Sequence, residues 1–116
     1  MELSLKPSSE SPLDHWLKYI SMINPREIDL GLSRISAVYK NFEIARLAPL
    51  VITVAGTNGK GSTVMAIEGM LLTQGIRVAA FTSPHIDRFN ERFRINGVEV
   101  VDDELCSVFS EIETLR

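Results

Sequence analysis

The sequence predicts an α/β protein in which a parallel sheet is flanked by helices and accompanied by one β-hairpin. A run of β-branched residues at 49–55 leads into a glycine-rich loop, and a helical apolar pattern follows at 62–75. A second apolar run at 76–82 completes the order strand, loop, helix, strand, which is a βαβ unit. Asn96-Gly97, flanked on both sides by alternating apolar and polar residues, is the signature of a hairpin with a type I′ turn.

Composition limits the class of protein before any motif is considered. Of the 116 residues, 45% are apolar and 23% charged, which is typical of a globular domain. The net charge of −3 argues against a general nucleic-acid binder, which normally carries a basic patch. No apolar run reaches the ~20 residues that span a bilayer, and the N-terminus lacks a signal-peptide pattern. Because Cys106 is the single cysteine, we expect a reducing, cytoplasmic setting.

The first forty residues predict a polar tail and two helices. Residues 1–10 are expected to form a flexible tail. The sequence SPLD at 11–14 predicts a helix start, with a serine N-cap and a proline at the first helical position. A second helix is expected over about 30–42, and Asp29 is a candidate for its N-cap. The apolar stripe of the first helix consists of Leu13, Trp16, Leu17, Ile20 and Ile23.

The remaining elements follow from the same periodicities. The run at 49–55 is apolar on both faces, which suits a parallel strand covered by helices on each side. The helix after the loop is expected to stop at Gly75 and to leave Glu68 on the surface. Asp102 or Asp103 is expected to cap a last helix. The predicted inner faces of these two helices are Val64, Ile67, Met70 and Leu71, and Leu105, Val108, Phe109, Ile112 and Leu115.

The glycine-rich loop lies where a phosphate-binding site is expected. Backbone N–H groups at a helix start lack intrahelical partners, and the helix dipole adds about half a positive charge. The glycines let the backbone wrap around an anion, Lys60 adds a charge toward the β- and γ-phosphates, and Ser62 or Thr63 can offer a hydroxyl to Mg²⁺. We therefore predict a loop that binds ATP and Mg²⁺. The predicted ATP-binding residues are Gly56, Thr57, Asn58, Gly59, Lys60, Gly61 and Ser62.

This loop departs from the standard P-loop pattern, G-x-x-x-x-G-K-[ST], at two positions. Val54 stands at the first glycine position, and Gly61 delays the hydroxyl by one residue. A tight glycine turn with an incidental lysine is the alternative, but the strand-loop-helix context favours a phosphate site. With these departures, GTNGKGS closely resembles the loop of the folylpolyglutamate synthases and dihydrofolate synthases of the Mur ligase superfamily. The folate branch of that superfamily carries the additional glycine.

The resemblance extends beyond the loop. The segment SPLDHWLKYI at 11–20 resembles the first helix of the family, and IDLGLSRI at 28–35 resembles its pterin-contacting segment. The stretch at 82–100 is similar to the family pattern SPHL…ERI.ING, with Ile86 in place of the usual leucine. These matches occur in the family's order, and the chain most resembles the bacterial bifunctional members.

This resemblance implies an ATP-dependent ligase with a P-loop NTPase-like central domain. Such enzymes join L-glutamate to dihydropteroate or to folylpolyglutamate through an acyl phosphate. Lys60 would be the catalytic cation, and Ser83 would be a Mg²⁺ ligand. Asp29, Leu30 and Gly31 would contact the pterin. From the residues alone, Ser83 reads as a turn serine and Asp29 as a helix cap.

Other polar residues receive no site assignment from the sequence. We expect His85 to be a hydrogen-bonding residue of a turn rather than a catalyst. Arg88, Arg92 and Arg94 could steer an anion or be solvated, and both readings stay open.

Two parallel strands are few for such a sheet, so residues 11–116 are expected to be the N-terminal part of an ATP-binding domain. The resemblance implies that the rest of that domain and a C-terminal glutamate-binding domain would follow residue 116. We expect this piece alone to be inactive and the parent protein to be a monomer. The alternatives are another Mur-type peptide ligase and a non-catalytic nucleotide-binding module.

Overall fold

The computed structural model describes residues 6–23 and 30–116, which divide into two compact units. One unit is formed by Met1–Pro49 with Asp102–Arg116, and the other by Leu50–Val101. The helices are α1 (Leu13–Ile23), α2 (Ser33–Tyr39), α3 (Lys60–Thr73) and α4 (Asp102–Leu115), and the strands are β1 (Ala79–Phe81), β2 (Phe93–Ile95) and β3 (Val98–Glu99). Within the described ranges, none of the helices combines the length and apolarity needed to cross a membrane.

The core of the first unit is the contact between α1 and α4. The Trp16 ring is buried, with its centroid 5.9 Å from that of Phe109. The Tyr19 hydroxyl donates a 2.9 Å hydrogen bond to Glu113. Leu105 is buried as predicted, but Val108 is exposed because the buried stripe of α4 passes through Cys106 instead.

Part of the predicted tail is fixed against α1. The Trp16 indole N–H donates to the carbonyl of Ser8 at 3.0 Å. Ser11 accepts a 2.9 Å hydrogen bond from the Ser8 amide through its hydroxyl, so it closes a turn at 8–11 rather than capping the helix. The helix accordingly begins at Leu13, with the carbonyl of Pro12 accepting the Trp16 amide.

The second helix is shorter at its start than the periodicity predicts. It begins at Ser33, and Leu30 is 93% exposed. A 3₁₀ turn at Lys40–Phe42 carries the helical path to the predicted end. The candidate cap Asp29 lies outside the described residues.

The second unit contains an antiparallel sheet in the order β1-β2-β3. Ile95 pairs with Val98 across a two-residue turn, in which φ is +50° at Asn96 and +82° at Gly97. Positive φ at both central positions defines a type I′ turn, so the predicted hairpin is confirmed. A Cβ atom on Gly97 would lie 3.1 Å from Leu72, so the turn packs closely against α3.

The predicted pairing of two parallel strands is not found among the described residues. The segment 49–55 forms no strand, and Val51 and Ile52 are 62% and 51% exposed. The predicted second strand is reduced to β1, which pairs antiparallel with β2. An apolar run forms a buried parallel strand only where neighbouring strands satisfy its backbone, and no such neighbour lies among the described residues.

The helix after the glycine loop ends as predicted. Gly75 has φ of +71°, and the amides of Ile76 and Gly75 donate to Leu71 and Leu72, which is a Schellman-type C-terminus.

Its inner face differs from the prediction. Met70 is exposed, and Glu68, expected on the surface, is 3% exposed. The reason is an ion pair that Glu68 forms with Arg94 of β2.

Candidate nucleotide site

The glycine-rich loop turns directly into α3. Gly59 occupies the N-cap position with φ of +74°, a left-handed conformation that glycine adopts without a steric penalty. The Thr63 amide and hydroxyl both donate to the Gly59 carbonyl, at 3.0 and 2.8 Å. The helix thus begins one residue after Gly59, at Lys60 and two residues earlier than predicted, and the N–H groups of its first turn are available to an anion.

The Lys60 ammonium lies over this loop. Its Nζ donates a 2.5 Å hydrogen bond to the carbonyl of Gly56. A Cβ added at Gly56 would approach the Lys60 side chain to 3.9 Å, so the lysine packs along the loop. The loop therefore concentrates one full positive charge and the positive end of a helix dipole in one place.

The loop forms one wall of a cleft of about 640 Å³ within the second unit. The predicted site residue Ser83, which follows β1, lines the same cleft, and so do Thr82 and Pro84. The predicted ATP-binding residues that line the cleft are Thr57, Asn58, Gly59, Lys60, Gly61 and Ser62. The lining also includes Glu91, Arg94 and Glu99, to which the sequence assigns no role in the site. A polyphosphate on the loop would thus have Ser83 as a neighbour.

Two of the predicted pterin residues, Leu30 and Gly31, are in the other unit. Both residues are exposed, and a Cβ built on Gly31 meets no described residue beyond its chain neighbours within 4 Å. Asp29 lies outside the described residues, so the structure leaves the predicted pterin contact untested.

A buried ion pair that the sequence reading missed lies next to the cleft. Glu68 of α3 accepts from the Arg94 guanidinium, and Arg94 lines the cleft. One sign was present in the sequence, because Glu68 lies between Val64 and Leu71 at helical spacing, within the predicted inner face. A charge at such a position needs a buried partner, and Arg94 was among the arginines left unassigned.

The loop after β1 is organised by Glu91, which the sequence reading also missed. Its carboxylate accepts hydrogen bonds from three consecutive amides, those of Ile86, Asp87 and Arg88, at 3.0, 2.8 and 2.7 Å. These backbone hydrogen bonds lower the pKa of Glu91 from 4.5 to about 2.

The cleft fits a magnesium ion that is carried by a nucleotide. Among the described residues, no three His, Cys, Asp or Glu side chains form a metal-binding group. The lining instead offers the hydroxyls of Ser62 and Ser83. Mg²⁺ prefers oxygen ligands and keeps several waters and phosphate oxygens, so few protein ligands suffice beside a bound triphosphate.

Two known synthases are similar to this chain in sequence. The chain is 40% identical over 116 residues to the dihydrofolate synthase/folylpolyglutamate synthase of Escherichia coli, covering all of this chain and 28% of that protein. Over its whole length the chain is similar to part of the dihydrofolate synthase/folylpolyglutamate synthases. The synthase of Haemophilus influenzae is also 40% identical, over 110 residues that cover 95% of this chain and 25% of that protein. A search of protein-family models found no match.

Solved structures of the synthase family share this backbone. Escherichia coli FolC in complex with DHPP and ADP superimposes with a TM-score of 0.91 at 41% identity, covering 95% of this chain and 27% of that one. The Yersinia pestis bifunctional synthase complexed with AMPPNP and Mn ion gives 0.87 at 41% identity, covering 94% and 27%. The chain thus spans about a quarter of the length of these synthases, and the expected family resemblance is confirmed.

Proposed function

We propose that this chain is the nucleotide-binding part of an ATP-dependent ligase that joins L-glutamate to dihydropteroate, to folylpolyglutamate, or to both. The observation that carries the proposal is the cleft in which the glycine-rich loop, Lys60 and Ser83 meet. The similarity to synthases solved with ADP or AMPPNP supports a nucleotide in that cleft.

The proposed reaction uses the site for phosphoryl transfer. A carboxylate oxygen of the pterin substrate attacks the γ-phosphorus of ATP, the bond to the β-γ bridging oxygen breaks, and ADP leaves. The glutamate amine then attacks the acyl phosphate, losing a proton and expelling phosphate to give an amide. Catalysis of such transfer is mainly positioning and neutralisation of charge. The ammonium of Lys60 and the amides of Gly56–Ser62 perform that task.

Magnesium completes the charge balance in this proposal. Ser83 and Ser62 are the residues of this chain that would hold the ion, which would supply positive charge to offset the negative charge of the phosphates. Asp29, Leu30 and Gly31 remain our candidates for the pterin contact. We propose a cytoplasmic monomer that acts on small molecules, with neither nucleic acid nor membrane as a partner.

The proposal includes a larger fold. Residues 11–116 would be the N-terminal part of an ATP-binding domain of the P-loop type, in which 49–55 becomes a parallel strand beside strands from the rest of a longer protein. The quarter-length match to the synthases supports this, as does the exposure of the apolar run. The 116-residue piece would then lack ligase activity by itself.

Replacement of the loop lysine tests the function. In the full-length protein, Lys60→Ala is expected to lower the rate of glutamate-dependent ADP release with dihydropteroate by roughly 10²–10³, the usual effect of losing one transition-state donor. The matched control is Lys40→Ala, which removes an exposed lysine from the 3₁₀ turn of the other unit. Wild-type turnover by Lys60→Ala would contradict the proposal. A preference for muramyl nucleotides over pterins would point to another Mur-type ligase instead.

A further inference from the structure

We propose that Glu91 and Arg92 are positioning residues that hold loop 83–88 from two sides, so that Ser83 keeps its place in the nucleotide cleft. This inference rests on the proposed function for the role of Ser83 as a magnesium ligand. It also gives His85 a role, as an anchoring point of the loop rather than a base.

Glu91 holds the backbone of the loop. Both oxygens of its carboxylate are used, with Oε2 accepting from Ile86 and Oε1 from Asp87 and Arg88. An ionised carboxylate is acceptor-only and suits three converging N–H groups, whereas an amide offers one acceptor oxygen and an unwanted NH₂ donor. Glu91 faces the cleft but is committed to its own loop, which argues against a catalytic role.

Arg92 holds the same loop through a side chain. Its Nε donates to Nδ1 of His85 at 2.8 Å, and its guanidinium lies 5.3 Å from the centre of the Phe89 ring. The His85 ring makes an edge contact with the same ring at 5.7 Å. Nδ1 of His85 is thus occupied as a hydrogen-bond acceptor.

The segment that carries Glu91 and Arg92 is itself fixed by hydrogen bonds to neighbouring parts of the chain. The Thr82 amide donates to the carbonyl of Arg92 at 2.9 Å, which closes the loop at the end of β1. Residues Phe89–Arg92 form a second 3₁₀ turn. Asn90, 2% exposed, donates to the carbonyl of Val100 at 2.8 Å and so ties this turn to the end of the hairpin. Ser83 comes directly after Thr82, so its backbone starts from the closed end of this loop. Residues held by such outer contacts keep a binding group within the narrow range of geometry that it needs.

The test compares Glu91→Gln with Asp87→Asn in the full-length protein. Asp87→Asn removes the same charge from the same loop but keeps the backbone N–H that Glu91 binds. Two readouts are needed: hydrogen exchange of the peptide covering 83–92 without ligand, and ATP affinity by calorimetry with Mg²⁺ and with EDTA.

We expect Glu91→Gln to speed exchange in that peptide and to weaken Mg²⁺-dependent ATP binding by roughly 10–100-fold, as loss of an outer-shell partner does for bound metals. Affinity in EDTA and both readouts of Asp87→Asn should stay at wild-type values. Wild-type exchange in Glu91→Gln, or an equal loss of affinity with and without Mg²⁺, would overturn the inference.

Two further outcomes are informative. If Glu91→Gln does not fold, Arg92→Lys tests the same loop. Lysine keeps the positive charge but lacks the Nε that binds His85. Arg92→Lys should therefore also speed hydrogen exchange and weaken Mg²⁺-dependent ATP binding. If the wild-type protein shows no Mg²⁺-dependent ATP binding, the proposed function fails and so does the role of Ser83. The exchange data would still decide separately whether Glu91 holds the loop.

Discussion

The buried carboxylate of Glu68 forms an ion pair with the half-buried Arg94, which joins α3 to β2 beside the cleft of the glycine-rich loop. The second carboxylate oxygen of Glu68 and the Nε of Arg94 are buried without a partner among the described residues. They are an acceptor and a donor on the same two side chains, so a two-pronged pairing would satisfy both. The pair thus links the helix that carries the glycine-rich loop to the hairpin.

Breaking this pair from one side should destabilise the protein strongly. Arg94→Met leaves the Glu68 carboxylate buried without a counter-charge, and loss of one partner of a buried pair costs about 3–5 kcal/mol. Denaturant unfolding measures the change. The double variant Glu68→Leu/Arg94→Met removes both charges and is expected to recover most of the loss. If the double variant is as unstable as Arg94→Met, the unpaired carboxylate of Glu68 is not the source of the loss, which would contradict this account of the pair.

Replacing Gly97 at the tip of the hairpin and Gly69 in α3 by alanine should have opposite effects on stability. Gly97→Ala should lower the free energy of unfolding by about 1–2 kcal/mol, because a left-handed backbone is strained for alanine. The added methyl would also press on Leu72 at 3.1 Å. Gly69→Ala, in the middle of α3 with open space around it, should instead raise stability by about 0.5–1 kcal/mol. Equal effects of the two changes on the thermal melting temperature would contradict this reading of the turn.

The hydrogen bonds of Glu91 predict a dependence of stability on acid. Since its pKa falls from 4.5 to about 2 on folding, its stabilising effect is fully present above pH 4.5 and is lost as the pH falls through 2. Glu91→Gln should therefore melt at a lower temperature than the wild-type protein at pH 7, and the gap should narrow between pH 5 and 2.5. The control is Glu99→Gln, at an exposed position of β3. The difference in melting temperature between this variant and the wild-type protein should stay constant over the same pH range. Parallel melting curves for wild type and Glu91→Gln across this range would refute the assignment.

The thiol of Cys106 is expected to react slowly in the folded protein. Burial raises its pKa, and so do the nearby carboxylates of Asp102 and Asp103, so little thiolate forms at neutral pH. Mass spectrometry of the labelled peptide after brief alkylation should show labelling at least about tenfold slower than in urea. The control is Ser107→Cys in a Cys106→Ala background, which places an exposed thiol on the next residue of α4. Similar rates at the two positions would show that Cys106 is accessible.

Sequence reading succeeded where short-range geometry decides the structure. Asn96-Gly97 and Gly75 adopt the predicted left-handed conformations because few other residues tolerate them. The glycine-rich loop likewise precedes a helix, as its pattern predicts.

The failures involve partners that are distant in the chain. Glu68 is buried because Arg94, 26 residues later in the sequence, lies beside it. The periodicity of a helix gives no information about a partner so distant in the chain. Residues 49–55 have strand propensity, but pairing depends on neighbours that local sequence does not specify. A sequence motif also does not predict that Glu91 accepts hydrogen bonds from three backbone amides. These hydrogen bonds form only because the loop folds back toward the Glu91 carboxylate.

The exposed run at 50–52 has a practical consequence for anyone who produces the 116-residue chain by itself. The segment has exposed aliphatic side chains and pairs with no strand among the described residues, so a second molecule can add its own copy of the segment. Such a preparation would gather into oligomers as its concentration rises, and a lysine in place of Val51 would keep it dispersed.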